Sequence, residues 1–378
     1  MANSNGWGDG SANNTIGWGK GANNLINWGK SHFLSWAGLT DIVGVTAGGN
    51  PPVNSVAPII SGSDYVTTTL TTTNGTWSNT PTSFTYQWYR NTTLISGATS
   101  SSYTLVQADA DFEVKCKVTA INAFGSGVAD SNSIYIYDFN YKEVYTSGYG
   151  TTPSLAVSKL QNKLLIDLKT TGVWIKLDSL FVFAGDGDYL FANVDWKLLQ
   201  QGTNNSTTYS TNQGISANST ASAYFDTNFN PSTAGTNYTQ NNASRYAYVK
   251  NFGEVGTYLT IIDGVSGTHR NSIQIGSSVE QRINQNVVDL INPFDYDTTA
   301  KMKSIHRTSA TSVTLFNDTT STTEVAASHA VSNNNQLIFN SHTLYSDGGT
   351  IGLYAMGSSM ISENTDFVNA VNTYMNAL

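Results

Sequence analysis

Few residues in this 378-residue chain have the type and spacing that chemistry needs. Histidines stand at positions 32, 269, 306, 329 and 342, none four apart on a helical pattern and none beside the single cysteine, so no zinc site is signalled. There is no G-x-S-x-G nucleophile elbow, no Walker loop and no dinucleotide fingerprint. Glutamates are few, and no pair of them reads as an acid and a base for glycoside cleavage. The expectation is therefore a protein that is not an enzyme, although carboxylates distant in sequence can converge in a fold. Cys116 lies in a stretch without a histidine to serve as its base, and reads as a small buried hydrophobe.

Two sets of residues remain as candidate sites. Gly185-Asp186-Gly187-Asp188, with Asp178 and Asp195 nearby, forms the one acidic cluster. Calcium takes several oxygen ligands on a turn, which makes Asp186 and Asp188 candidate weak calcium ligands; no other cofactor is expected. The plainer reading of that stretch is a solvated turn between strands. Tyr238, Tyr246 and Tyr248, close to Asn241 and Asn242, offer ring faces and amides, the pair of groups that sugars need. The plainer reading of each tyrosine is a strand aromatic facing the core.

The elements that must position these groups are strands. Only 12% of the residues are charged, with a net charge of −8, while 39% are hydrophobic and 11% aromatic. An aromatic-rich, charge-poor chain is not a disordered one. With 18 Lys and Arg against 26 Asp and Glu, and no basic run, nucleic acid is not an expected partner. The missing charge is replaced by Asn, Thr, Ser and Gly, a mixture suited to strands with neutral outer faces and to tight turns. No run of apolar residues is long enough for a membrane span. Met1 to Trp7 has neither the basic nor the apolar region of a secretory signal, so synthesis without export is expected.

Residues 1–45 contain a repeat. Ala2 to Asp9, Ala12 to Lys20 and Ala22 to Lys30 each place a Trp-Gly pair after an Asn-rich turn, at Trp7, Trp18 and Trp28, with Trp36 continuing the apolar pattern. Ile16 and Ile26 supply short apolar runs between them. A piece this small cannot bury its own tryptophans. It reads as an anchor that packs against copies of itself, most simply as a homotrimer, or docks on another protein; a hairpin stack on a neighbouring domain is the plainer alternative. Residues 44–52 read as a linker.

Residues 53–137 alternate in short runs between turns, with Phe84, Tyr86 and Trp88 on one face of a strand, and predict a β-sandwich. Residues 153–378 predict a larger jelly roll between two flanking helices. Ser154 caps the first helix, whose inner face carries Val157, Leu160, Leu164 and Leu168 before Gly172 ends it. The second repeats Phe367, Ala370, Val371 and Tyr374 at helical spacing after a cap near Ser362 or Thr365. Strands are expected between them, among others over 179–183, 189–194, 246–250, 303–307, 312–316 and 350–356.

Three resemblances follow from these residues. The Trp-Gly repeat resembles the N-terminal segment of many tailed-phage structural proteins, which implies attachment to other virion proteins. Gln87 to Arg90, Ser96 to Thr99 and Cys116 to Ala120 resemble the third strand, the next turn and the penultimate strand of bacterial and phage immunoglobulin-like domains. The family's second cysteine is missing, with Leu70 and Thr72 in its region, and Val114 stands in place of the corner tyrosine. Ala223 to Phe229, Val313 to Asp318 and Gly349 to Tyr354 resemble strands of concanavalin-like, laminin-G type lectin domains. Together they imply an all-β phage appendage, a fibre or decoration on capsid or tail at the virion surface, displaying a tip that binds a host-surface glycan. A secreted carbohydrate-binding adhesin and a glycan-degrading tailspike-like enzyme are the alternatives.

Overall fold

The computed structural model describes residues 49–217, 223–252, 259–263, 269–275, 281–286, 301–328, 330–339 and 349–378. The Trp-Gly segment, with Trp7, Ile16, Trp18, Ile26, Trp28 and Trp36, lies outside the described residues. The architecture is all-β, with five α-helices among the described residues.

The first sandwich sets Ser83–Arg90 against Glu113–Asn122, with Ile134–Tyr135, Thr93–Leu94 and Gly125–Asp130 on the same sheet. Ile60–Ser61, Thr69–Thr72 and Ser102–Thr104 form a second sheet. Trp88 and Cys116 are direct partners across the antiparallel pair, and both are fully buried. Leu70 packs with them, so an apolar contact stands where a disulfide would. Burial pushes the Cys116 thiol up to about 11, which leaves it inert as a nucleophile. The Trp88 indole N–H donates to the Ser100 carbonyl at 2.9 Å.

The second body follows without a loose connection. Helix α1 (Phe139–Tyr145) is capped by Asp138, whose Oδ1 accepts from the Asn140 N–H at 2.9 Å. The buried Asp138 carboxylate also pairs with Lys169 at 2.6 Å and accepts from Gln107 at 2.8 Å. Tyr137 stacks on Tyr141, and Tyr141 meets Trp196 edge-on at 5.7 Å. Lys142 bonds Asp64, and Ile166 packs on the first core. Aromatic burial and ion pairs thus join the two bodies directly.

In the larger body, helix α2 (Leu155–Thr170) starts at the Ser154 cap, and Gly172 follows its end at φ +77°, a conformation glycine adopts freely. Helix α3 (Val173–Lys176) leads into Leu177–Val182. The main sheet runs Thr208–Ser210, Gly214–Ser216, Thr350–Gly357, Ala243–Asn251, Met302–Arg307, Ser312–Asn317, Thr320–Val325, and Leu177–Val182 also pairs with Thr350–Gly357. A second sheet runs Thr203–Asn205, Tyr224–Asp226, Gln336–Ile338, Leu259–Asp263, His269–Ile275, Gln281–Asn286. Phe181, Phe183, Phe225, Ile305, Leu315, Ile338 and Met356 fill the space between the sheets. The other face of the main sheet is covered by α2 and the C-terminal helix α5 (Asn364–Ala377), through Leu164, Leu168, Phe367, Val371 and Tyr374 against Tyr246, Tyr248 and Leu353. Both faces of Thr350–Gly357 are therefore buried.

Two local expectations change. Residues 189–194 do not form a strand; Asp188 caps helix α4 (Tyr189–Ala192) by accepting from the Phe191 N–H at 3.0 Å. The hairpin after Ser312–Asn317 turns on Asp318 and Thr319, with Asp318 at φ +51° in the place that glycine usually takes.

Candidate functional site

Loop 183–188, which leaves the main sheet after Leu177–Val182, is held from below by a relay of side chains. Tyr141 donates to Gln161 at 3.0 Å, Gln161 donates to the Tyr374 hydroxyl at 3.2 Å, and Tyr374 donates to the Ala184 carbonyl. Helices α1, α2 and α5 thereby fix where the loop begins. Above it, the hairpin formed by Thr208–Ser210 and Gly214–Ser216 folds over the glycines: the Tyr209 hydroxyl lies 2.7 Å from the Gly185 carbonyl and 2.8 Å from that of Gly187. One hydroxyl proton is shared between two acceptors, which orients the ring as it packs partly against the inter-sheet core. Tyr209 is half-buried, and Tyr189 meets it edge-on with ring centroids 6.4 Å apart.

Polar groups surround the two rings. Asp186 accepts from the Ser154 N–H at 2.9 Å; Asp188 accepts from the Thr151 N–H at 2.7 Å as well as capping α4. Burial works against the Asp188 carboxylate, but the Phe191 and Thr151 donors outweigh it and hold its pKa below the ordinary value. Burial, reinforced by the charges of Asp186 and Asp188, pushes the Tyr209 hydroxyl up to about 12. The Tyr189 hydroxyl, Asn193 Oδ1 and Asn212 Oδ1 are buried atoms without a hydrogen-bond partner. The Asn193 side chain nevertheless lies close enough to the Tyr189 hydroxyl to oppose part of the rise that burial imposes on it. Such atoms cost about 1–3 kcal/mol each when left unsatisfied. All three are closed to solvent, one of them on the Tyr189 ring itself, and both rings are partly buried.

The acidic cluster read from the sequence thus sits inside this loop, but as a frame. Asp186 Oδ1 takes the Ser154 N–H, and Asp188 spends both oxygens, one on Thr151 and one on Phe191. Among the described residues no group of three His, Cys, Asp or Glu is placed to hold a metal. Asp178 and Asp195 are buried apart from it: Asp178 accepts from the backbone of Asn237 and Tyr238, and Asp195 from Ser179, Leu180 and Lys197.

The tyrosines singled out for sugar stacking are core residues. Tyr238 is buried between the sheets, while Tyr246 and Tyr248 lie on the opposite face beneath the helices. None of the three presents a ring to solvent. Asn241 and Asn242 are exposed, but Asn242 Oδ1 accepts from the Ser359 N–H at 2.8 Å in a turn. The fold does not gather these five residues into one site.

The fold also brings Ser304, His306 and Asn364 together, which spacing in the sequence does not reveal. His306 Nδ1 accepts from the Met360 N–H at 3.2 Å, so its neutral ring carries the proton on Nε2, which faces the Ser304 hydroxyl at 3.2 Å. A nitrogen that donates to the serine is not its base. Burial pulls the His306 pKa down to about 3, against the help of Asn364, and all three side chains are sealed in the core. This trio is structural.

No family model matches the chain, and no curated protein does. Solved structures do. Domain 4 of a GH43 extracellular arabinanase from Geobacillus stearothermophilus, in complex with arabinotriose, matches 51% of this chain and 98% of its own at 15% identity and a TM-score of 0.34. A Trypanosoma rangeli sialidase mutant displaying trans-sialidase activity matches 84% of this chain at 9% identity and a TM-score of 0.38. A GH54 α-L-arabinofuranosidase matches 75% at 12% identity and a TM-score of 0.27. The chain spans about half the length of the sialidase it matches, 53% of that chain. These are carbohydrate-active proteins, and the expectation that this chain is not an enzyme is corrected here: glycoside hydrolases and sialidases stand among its structural matches. The lack of a Glu pair legible in sequence was too weak a ground for that exclusion. At these scores the likeness transfers no catalytic or binding residue.

Proposed function

We propose that the chain recognises carbohydrate at the loop end of its larger sandwich. The observation that supports this reading is the Tyr189–Tyr209 pair, partly buried and locked by loop 183–188. Sugars bind where a ring face meets fixed hydrogen-bonding groups, and here the ring is oriented before any ligand arrives. A single site of this size binds weakly, and several copies side by side capture tightly. The repeat around Trp7, Trp18, Trp28 and Trp36 supplies that multiplicity in the proposal, mounting a homotrimer on a larger particle, of which a phage virion is the instance that its sequence resembles.

The full chain passed over a panel of immobilised neutral and acidic polysaccharides tests the binding. Retention on at least one polysaccharide is expected, and retention on none would overturn the reading. Chain length of the eluted polysaccharide tells capture from processing. Light scattering tests the assembly, since a 40.6 kDa monomer at micromolar concentration would contradict the homotrimer.

A further inference from the structure

We infer that the Tyr189–Tyr209 site selects neutral glycan and rejects sugars that carry a carboxylate. The inference deepens the proposed function and rests on it. Asp186 and Asp188 lie within loop 183–188, and both are anchored through backbone N–H donors. Those bonds fix the carboxylates in place and leave each with its charge. No ion pair to either is found among the described residues. Both charges act on the Tyr209 hydroxyl, so both lie within electrostatic reach of the ring on which a sugar would sit.

The selection rests on charge alone, because Asn193 Oδ1, Asn212 Oδ1 and the Tyr189 hydroxyl are closed to solvent and meet no ligand. A uronate or sialic carboxylate stacked on Tyr209 would bring a third negative charge beside two fixed ones. The whole chain, at a net charge of −8, adds to the repulsion at long range.

The test uses the full chain and any neutral oligosaccharide it binds, compared with the C6-oxidised form of the same length, which carries carboxylates in place of CH2OH groups. The oxidised form is expected to bind roughly tenfold more weakly at low salt, the gap narrowing as salt screens the charges. The variant Asp186→Asn keeps the one oxygen acceptor that the Ser154 N–H uses, while Asp188, which spends both oxygens on Thr151 and Phe191, stays in place. It is expected to close part of the gap by raising affinity for the oxidised form. Equal binding of both forms by the native chain would overturn this inference and leave the proposed function standing. So would a gap indifferent to salt, a measurement that needs no variant to fold. A chain that binds only acidic glycans would do the same, and one that binds no glycan would remove both.

Discussion

Two carboxylate-centred regions of this molecule contrast in how far they are satisfied. In the small sandwich, Asp109 is sealed from solvent and saturated: Arg90 donates twice, at 2.6 and 2.9 Å, Tyr103 at 2.8 Å and the Val106 N–H at 2.8 Å. In the large one, Asp186 and Asp188 have no ion-pair partner among the described residues and frame a loop beside two partly buried rings. A saturated network spends all its capacity on the fold. Carboxylates left without a counter-charge beside a partly buried ring retain capacity to act on something outside the chain.

The largest effect that would sharpen this contrast lies in the small sandwich. Trp88→Ala removes the centre of a sealed core and is expected to cost about 3–5 kcal/mol in chemical denaturation, with no change in any glycan selectivity. A loss under about 1 kcal/mol would show that the core is looser than its burial indicates.

The next effect is pH-dependent. Burial raises the pKa of Asp195 to about 6, although Ser179, Lys197 and Leu180 donate to it. The folded state therefore holds this proton more tightly than the unfolded chain, whose aspartates titrate near about 4. The stabilising contribution is full below that value and is lost as pH rises through about 6, an amount of roughly 3 kcal/mol by pH 7. Asp195→Asn, whose oxygen can keep the backbone donors and whose NH2 can turn to Ser179, is expected to remove that dependence. Denaturant midpoints of both proteins at pH 4 and pH 7 give the comparison, and a difference between them that ignores pH would contradict it.

A smaller effect separates the frame from the core. Gly150 stands at φ +64°, and a Cβ there would run into the Asp188 carboxylate. Gly150→Ala is expected to cost about 1–3 kcal/mol and to loosen the loop under Tyr209, lowering glycan affinity along with the melting temperature. Unchanged affinity in the destabilised variant would detach the frame from recognition.

The parts legible in sequence were those decided by local pattern. The Ser154 cap, the inner face of α2, the helical spacing of Phe367, Val371 and Tyr374, and the pairing of Trp88 with a free Cys116 all follow from neighbours within one element or one strand pair. Alternation in Tyr246 and Tyr248 correctly marked a strand face, but nothing local says that helices at residues 155–170 and 364–377 cover that face. Tyr189 and Tyr209 stayed hidden for the converse reason. They meet only because a hairpin folds back across a glycine loop, and the pattern around Tyr189 reads as strand although Asp188 caps a helix there. The acidic cluster stands out in sequence for its charges, and in the fold it serves through backbone hydrogen bonds.

The most direct test of the central claim compares one ring from each region by glycan affinity. Tyr209→Ala and Tyr89→Ala each remove a half-buried tyrosine from a strand, the first above loop 183–188 and the second beside Lys117 in the small sandwich. Isothermal titration of the full chain with its bound oligosaccharide is expected to show Tyr209→Ala weakened roughly tenfold or more, about the loss of one stacking platform, and Tyr89→Ala unchanged. A folded Tyr209→Ala protein that binds as tightly as the native chain would contradict the account.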